Sequence, residues 1–316
     1  LESSAKTAEE RLEKYLKAAA IARAVEQEII STITKPAEKI LTIAERIEEE
    51  IRKRGGSPAF PVNICINDIA AHYTPLPEEA KQISTEDMIK IDFGVHIDGY
   101  PVDRAITFYF GEDEDKKEMI KVAEEALRRA IEAMKPRTRL SYIGEIIEDY
   151  VKERGFKVIR NLNGHLLDQY LLHGEKEVPT SASVKSAGII EEGEVYAVEI
   201  FVTNGEGYAR ASDDIRIYSI LPELPKRLPI RVRIARDILR HVYRERKGLP
   251  FTMRWLLNKF REEDIRIGLA TLDMVGVLIS YPVLVEKEGS YIAQAEDTVI
   301  IRKDGAQRLI GHGKET

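Results

Sequence analysis

Four acidic residues of this chain lie inside short runs that otherwise read as apolar β-strands, and that placement restricts what the chain can fold into. Asp92 sits in Met88-Ile89-Lys90-Ile91-Asp92-Phe93-Gly94-Val95 and Asp103 in Tyr100-Pro101-Val102-Asp103-Arg104-Ala105-Ile106. Glu199 sits in Val195-Tyr196-Ala197-Val198-Glu199-Ile200-Phe201-Val202, and Glu296 just before Thr298-Val299-Ile300-Ile301. An ionised carboxylate is costly to bury in such a strand unless something positive compensates it. No basic residue stands beside Glu199 or Glu296 to do so locally. Four acids on apolar strands therefore point to a bound cation, or more than one.

Asp98-Gly99 is a two-residue hairpin signal between the first two runs. With that turn, Asp92 faces Ala105 and Asp103 stands two residues along on the same face, within diagonal reach. A bulge at Pro101 would shift this register. His165, in Asn161-Leu162-Asn163-Gly164-His165, follows a strand and a glycine-containing loop and is a candidate fifth ligand. Four carboxylates and a neutral imidazole would balance two divalent ions. Oxygen-rich ligation with one nitrogen suits manganese, iron, cobalt or zinc rather than a closed structural zinc site. Paired ions held this way can generate hydroxide and polarise a carbonyl, so hydrolysis is the chemistry expected.

The surrounding pattern is of an α+β class, with helices packed on an antiparallel sheet. Thr7 and Glu10 have capping-box spacing, and Leu12, Leu16, Ile21, Val25 and Ile29 recur at helical intervals. A second helix is expected from Lys35 to Arg54, stopped by Gly55-Gly56. Further helices are expected over 114–134 and 140–154, and strands over 156–160, 195–202 and 291–302. Between 212 and 275 the character changes to a strand near Ile215 to Ile220, then Pro-punctuated chain, then helix. That segment reads as an insertion into a domain made of 1–211 and 276–316.

Composition narrows the class further. At 316 residues the chain can bury a sizeable core. No apolar run approaches the roughly 20 residues that cross a bilayer, and the N-terminus lacks a charged-then-apolar secretory pattern, so a cytoplasmic protein without membrane contact is expected. The missing initiator methionine before Leu1-Glu2-Ser3-Ser4 fits a processed end or a cloning remnant. The one cysteine, Cys65, alternates like a strand residue and reads as structural. Abundant Glu, Lys, Arg and Ile with little Gln resembles a heat-adapted protein. A net charge of −6 gives no overall case for nucleic-acid binding. The exception is local: Pro225 to Asp264 holds 12 Lys/Arg against 5 Asp/Glu. There Arg233, Arg236, Arg240, Arg244 and Lys247 would form one helical stripe, with Val232, Ala235, Leu239 and Val242 mainly to one side. Such a stripe could meet ribosomal RNA phosphates, or simply be a solvated face paired with acids.

Several stretches together resemble the pita-bread metallopeptidases, and specifically the type II, archaeal-like methionine aminopeptidases. They are Pro58-Ala59-Phe60-Pro61-Val62-Asn63, Ala70-Ala71-His72-Tyr73-Thr74-Pro75, Lys90-Ile91-Asp92-Phe93-Gly94-Val95-His96, Asn161 to His165, Leu249-Pro250-Phe251 with Arg254-Trp255-Leu256, and Tyr281-Pro282. The resemblance implies the creatinase/aminopeptidase fold, an antiparallel sheet covered by helices, with an inserted helical, winged-helix-like subdomain. It implies two divalent ions on Asp92, Asp103, His165, Glu199 and Glu296, with Asp103 and Glu296 bridging, Asp92 on one ion and His165 on the other. It also implies attack of a metal-bound water on the carbonyl of the leading methionine of a nascent polypeptide, assisted by Glu199. His72 and His173 match the two substrate-facing histidines, and Phe60, Leu172 and Tyr281 match positions around the methionine pocket. A monomer is expected.

Two features depart from the family. Glu296 lies in Ala293-Gln294-Ala295-Glu296-Asp297-Thr298, where Phe and His typically flank the glutamate, so weaker support of Glu296 is expected. Ile200 replaces a small or cyclic residue after Glu199. An Xaa-Pro aminopeptidase or dipeptidase shares the fold and ligands but lacks the long segment between the last two glutamates. A non-catalytic pita-bread protein that binds ribosomes or RNA would have lost ligands that this chain keeps. His96, His241 and His312 receive no role.

Overall fold

The computed structural model describes residues 2–32, 36–183 and 188–311, with side chains from residue 7. The chain opens with helices α1 (Glu2–Thr32) and α2 (Ile40–Lys53), then strands β1 (Ser57–Pro58), β2 (Asn63–Ile66) and β3 (Ile69–Ala71). The hairpin β4 (Met88–Ile97) and β5 (Tyr100–Tyr109) leads to α3 (Glu114–Ala133) and α4 (Leu140–Glu153). Strands β6 (Lys157–Val158), β7 (Gly164–Leu167), β8 (Glu177–Val178), β9 (Val195–Thr203) and β10 (Arg210–Ile220) follow. Next come α5 (Arg233–Arg246), a short 3-10 turn over Met253–Leu256, and α6 (Glu262–Met274). Strands β11 (Leu278–Val285), β12 (Ile292–Arg302) and β13 (Gly305–Arg308) close the described chain.

Local chemistry explains most of the boundaries. Asp113 caps α3 by accepting from the Asp115 and Lys116 amides, and Glu114 and Asp115 complement the helix dipole. Gly55, at φ +83°, lets the chain leave α2 in a left-handed conformation. The first two helices differ from expectation. Thr7 lies inside α1 rather than capping it, and Leu16 is 43% exposed while neighbouring Tyr15 is fully buried. Helix α2 starts at Ile40, five residues after the expected Lys35, which lies outside the described residues.

The main sheet runs β1-β4-β5-β12-β9-β7-β8, with β2 on β4, β6 on β9 and β13 on β12, and every pair is antiparallel. Alternation sends Ile91, Phe93, Val95 and Val102 toward α1 and α2. It sends Tyr196, Val198, Ile200, Ala295 and Val299 toward α3 and α4. The helices thus cover one face and leave the other free for a site. Arg104 marks the helix side, pairing with Glu26 of α1 at 2.5 Å.

A second sheet, β10-β11-β3, carries the segment expected to be inserted. Position 212 falls inside β10, which stays paired with β11 as far as Ile220 opposite Leu278. Beyond that pair, α5 and α6 gather their own core around Ile238, Leu239, Ile265, Leu272 and Val277. Ala235, Leu239 and Val242 of the expected apolar side are buried, but Val232 is 38% exposed at the start of α5, and Lys247 lies past its end. Among the described residues no helix is long and apolar enough to cross a membrane.

Candidate metal centre and substrate cleft

The hairpin has the register read from its turn. Asp92 pairs with Ala105 and Gly94 with Asp103, and the ladder runs unbroken through His96 and Pro101, so Pro101 marks no bulge. Asp98 and Gly99 both have positive φ, +51° and +88°, as a type I′ turn requires. Across the next ladders Glu296 faces Ala105 on one side and Glu199 on the other. Asp92, Ala105, Glu296 and Glu199 therefore form one row across β4, β5, β12 and β9. His165 pairs with Ala197, two residues before Glu199, which brings its imidazole to the same face.

Oxygen and nitrogen atoms of Asp103, His165 and Glu296 come within 4.8 Å of one another, and all three residues are buried. Asp92 and Glu199 are half-buried and line the adjoining cleft. Oδ1 of Asp92, Oδ1 of Asp103 and Oε1 of Glu296 are enclosed with no hydrogen-bond partner. Such orphaned buried oxygens are rare unless a ligand or ion satisfies them. Burial lifts the Asp92 carboxyl to about 6, against a hydrogen bond from Asn63 that lowers it. Burial, then the charges of Asp92 and Glu199, lifts Asp103 well above the carboxylate range. Glu199 is raised by burial and then Asp92, and Glu296 by burial and then Asp103 and Glu199. Burial, then His173, holds His165 well below its usual value. The 3.9 Å approach of His165 Nε2 to Asp103 Oδ2 is consequently no ion pair, since burial favours the neutral form of both. Burial that disfavours a protonated imidazole and charged carboxyls, together with orphaned carboxylate oxygens, makes a donor set that a divalent metal would satisfy.

The supporting contacts are specific. Asn63 Nδ2 donates to Asp92 Oδ2 at 3.0 Å, and Gln294 Nε2 to Glu296 Oε2 at 3.3 Å. Thr298 Oγ1 accepts from the Asp103 amide at 2.6 Å and donates to the Asp103 carbonyl at 2.9 Å. Ala295 packs on the helix-facing side of β12, as does Ile200 on β9. Asp297 is turned to the chain end, accepting from Arg308 Nε at 2.8 Å and from the Ile310 and Gly311 amides. The two altered neighbours of Glu296 thus point away from the acid row, while Gln294 bonds Glu296 and Thr298 bonds the Asp103 backbone.

The cleft over the row brings together Phe60, His72, Leu172, His173 and Tyr281 with all five candidate ligands. His72 follows β3 at φ +66°, a strained conformation for a non-glycine residue, and its Nδ1 is 3.0 Å from the Pro282 carbonyl. The Tyr281 ring lies 5.7 Å from that of His72 and 6.3 Å from that of His173, and His173 lies 4.4 Å from His165. Burial lowers His72, against a hydrogen bond to the Pro282 carbonyl that raises it, and burial followed by His72 lowers His173 to about 4, so the cleft disfavours the charged form of both imidazoles. Phe60 enters because residue 94 is glycine: a Cβ there would stand 2.5 Å from Phe60 Cε1. Sequence reasoning missed Asn63, Ile217 and Pro250 as lining residues. Asn63 had a readable signal, since it occupies a matching motif and pairs directly with Asp92. Cys65 is 1% exposed and burial pushes its thiol up to about 11, in keeping with a structural residue. His96 and His241 lie outside the cleft lining, and His312 lies outside the described residues.

An antiparallel sheet with helices on one face and buried carboxylates and imidazole on the other is the architecture of a metallopeptidase, and the chain belongs to metallopeptidase family M24, whose profile matches residues 13–219. Within it the relatives are methionine aminopeptidases. That of Thermococcus onnurineus is 41% identical over 294 residues, covering 93% of this chain and 97% of its own. That of Saccharolobus solfataricus is 34% identical over 297 residues, covering 94% and 96%. Among solved structures, a thermophilic Arx1 superposes with a TM-score of 0.83 at 20% identity, covering 97% of this chain and 92% of that one. The methionine aminopeptidase of Thermotoga maritima gives 0.69 at 22%, covering 96% and 97%. These two likenesses speak for the shared pita-bread fold. The family is metal-dependent, and the Asp103, His165 and Glu296 group can hold an ion.

Proposed function

We propose that this chain is a type II methionine aminopeptidase, removing the first methionine from newly made polypeptides. The carrying observation is that five strands deliver five donors to one face, beneath a small cleft edged by two histidines and apolar side chains. Relatives of that name, covering over nine-tenths of the chain, support the same reading.

Asp92, Asp103, His165, Glu199 and Glu296 would hold two divalent ions of cobalt, manganese, iron or zinc. Bound there, the ions supply Lewis acidity and a nucleophile at neutral pH. Glu199, which faces the cleft from the end of the acid row, takes up a proton and passes it to the leaving amine. His72 donates through Nδ1 to the Pro282 carbonyl, which leaves Nε2 to accept from a substrate N–H. His173, beside it, orients the scissile carbonyl and stabilises its developing charge. Phe60, Leu172 and Tyr281 enclose an unbranched thioether.

In this reading 212–275 is an inserted module on a catalytic domain of 1–211 and 276–316. The protein works as a cytoplasmic monomer on nascent chains. The basic face of α5 meets the ribosome, a role supported by the 89%, 75% and 68% exposure of the Arg233, Arg240 and Arg244 side chains. Metal-dependent release of methionine from a Met-Ala-Ser peptide, run beside hydrolysis of an Ala-Pro peptide, tests the activity. Cleavage of the first peptide supports it. Cleavage of the second alone indicates an Xaa-Pro peptidase, and cleavage of neither indicates a binding protein.

A further inference from the structure

Arg246, in the last turn of α5, is half-buried, and the hydrogen bonds of its guanidinium go to three backbone carbonyls. Its Nη2 donates to Pro58 O at 3.0 Å, Ala59 O at 2.7 Å and Pro250 O at 2.9 Å, and its Nε donates to Pro250 O at 3.1 Å. The cation also lies 5.0 Å over the Trp255 ring. Burial, then the nearby Arg52, pulls it down to about 10, against the charges of Glu48 and Glu245. Its hydrogen bonds go to backbone carbonyls rather than to a carboxylate, which gives the side chain a geometric task.

The two segments it joins are both cleft walls. Ala59 immediately precedes Phe60, and Phe60 and Pro250 line the cleft from opposite parts of the chain. On its other side the Phe60 segment is held by the Ala59 amide, which donates to the Gly94 carbonyl at 2.9 Å, and by the ring seated over Gly94. A planar guanidinium sets the spacing of several acceptors at once, which a flexible ammonium does less rigidly.

We propose that Arg246 is a positioning residue for substrate selection. It fixes the Phe60 wall against Pro250, so the inserted helix helps choose the first residue of the substrate. This rests on the reading of the cleft as a methionine pocket.

The test compares wild type, Arg246→Met and Arg246→Lys, each loaded with cobalt, on Met-Ala-Ser and Leu-Ala-Ser peptides. Arg246→Met should raise KM for Met-Ala-Ser about tenfold and narrow the Met-over-Leu ratio of kcat/KM by a similar factor, with kcat and bound metal held within about twofold. Arg246→Lys should lie between the two. Unchanged KM and selectivity in a folded, metal-loaded Arg246→Met would overturn the proposal. If Arg246→Met fails to fold, a stable Arg246→Lys with wild-type KM and selectivity overturns it, and one with raised KM at unchanged kcat supports it. A wild type that releases no methionine overturns the underlying reading, and this inference with it.

Discussion

Glu296 stands directly opposite Glu199 across the β12–β9 ladder, carboxylate beside carboxylate on one face. Like charges so placed oppose folding unless cations lie between or beside them. Neighbouring Asp92 and Asp103 complete a cluster with no lysine or arginine among the cleft-lining residues. Metal is thereby expected to support both the chemistry and the stability of this part of the sheet.

Glu199→Ala or His165→Ala should abolish methionine release, by more than about 100-fold, while circular dichroism stays near wild type. Chelation should do the same reversibly and lower Tm. Near-normal turnover of Glu199→Ala at matched metal content, measured by elemental analysis, would refute the assigned site.

Selectivity should follow the cleft. Peptides beginning Met-Ala or Met-Gly should be cleaved well and Met-Lys poorly. Comparable kcat/KM for Leu-Ala and Met-Ala peptides would contradict the proposed fit of Phe60, Leu172 and Tyr281 to an unbranched side chain.

His96 gives a signed pH dependence. Burial, then Arg246, pushes it down to about 3, while Asp98 pulls the other way, and its Nδ1 accepts from the Gly99 amide at 3.1 Å. Its folded pKa lies below its unfolded value near 6.5, so the unfolded state binds more protons between the two. This contribution is fully present above about pH 6.5 and is lost as pH falls toward 3, by on the order of 1 kcal/mol per unit. Urea titrations at pH 7 and pH 5 should show a smaller loss for His96→Gln than for wild type. Equal losses would exclude the effect.

Glu48 is 1% exposed and ties α2 to the Met253–Leu256 turn. It accepts two bonds of 2.8 Å from Arg254 and one of 2.7 Å from Trp255 Nε1. Removing one partner of a buried pair costs about 3–5 kcal/mol, so Glu48→Ala should lower the urea midpoint accordingly. A change under about 1 kcal/mol would show that the pair is not structurally important.

The basic face of α5 gives a salt-dependent expectation. Arg236 donates to the Ile230 and Arg231 carbonyls, so a clean reversal uses Arg233, Arg240 and Arg244, all to Glu. Ribosome co-sedimentation should fall at low salt while peptide hydrolysis is unchanged. If co-sedimentation is unchanged, the stripe is a solvated face, a reading its contacts with Asp237 and Glu245 already allow.

The acid-bearing strands and the hairpin register were legible in the sequence, because side-chain alternation has period two and Asp98-Gly99 specifies a turn whose twist matches the strands. Helices α3 and α4 were legible for the same kind of reason, since local spacing marks the buried stripe. The sequence did not show that Glu296 would face Glu199. Strand neighbours far apart in the chain are chosen by packing of the whole sheet, and no local pattern encodes that choice. The same holds for Arg246: read along the chain it is one more arginine in a basic helix. Only the tertiary approach of α5 to Pro58 and Ala59 half-buries it and, with Pro250, gives it three carbonyls to hold. Sequence by itself marked the acids set in apolar strands, with His165, as metal-ligand candidates, although it placed His165 after a loop rather than on the strand that carries it. Tertiary structure decided which of those residues meet, because burial and cross-strand partnership are properties of the packed chain.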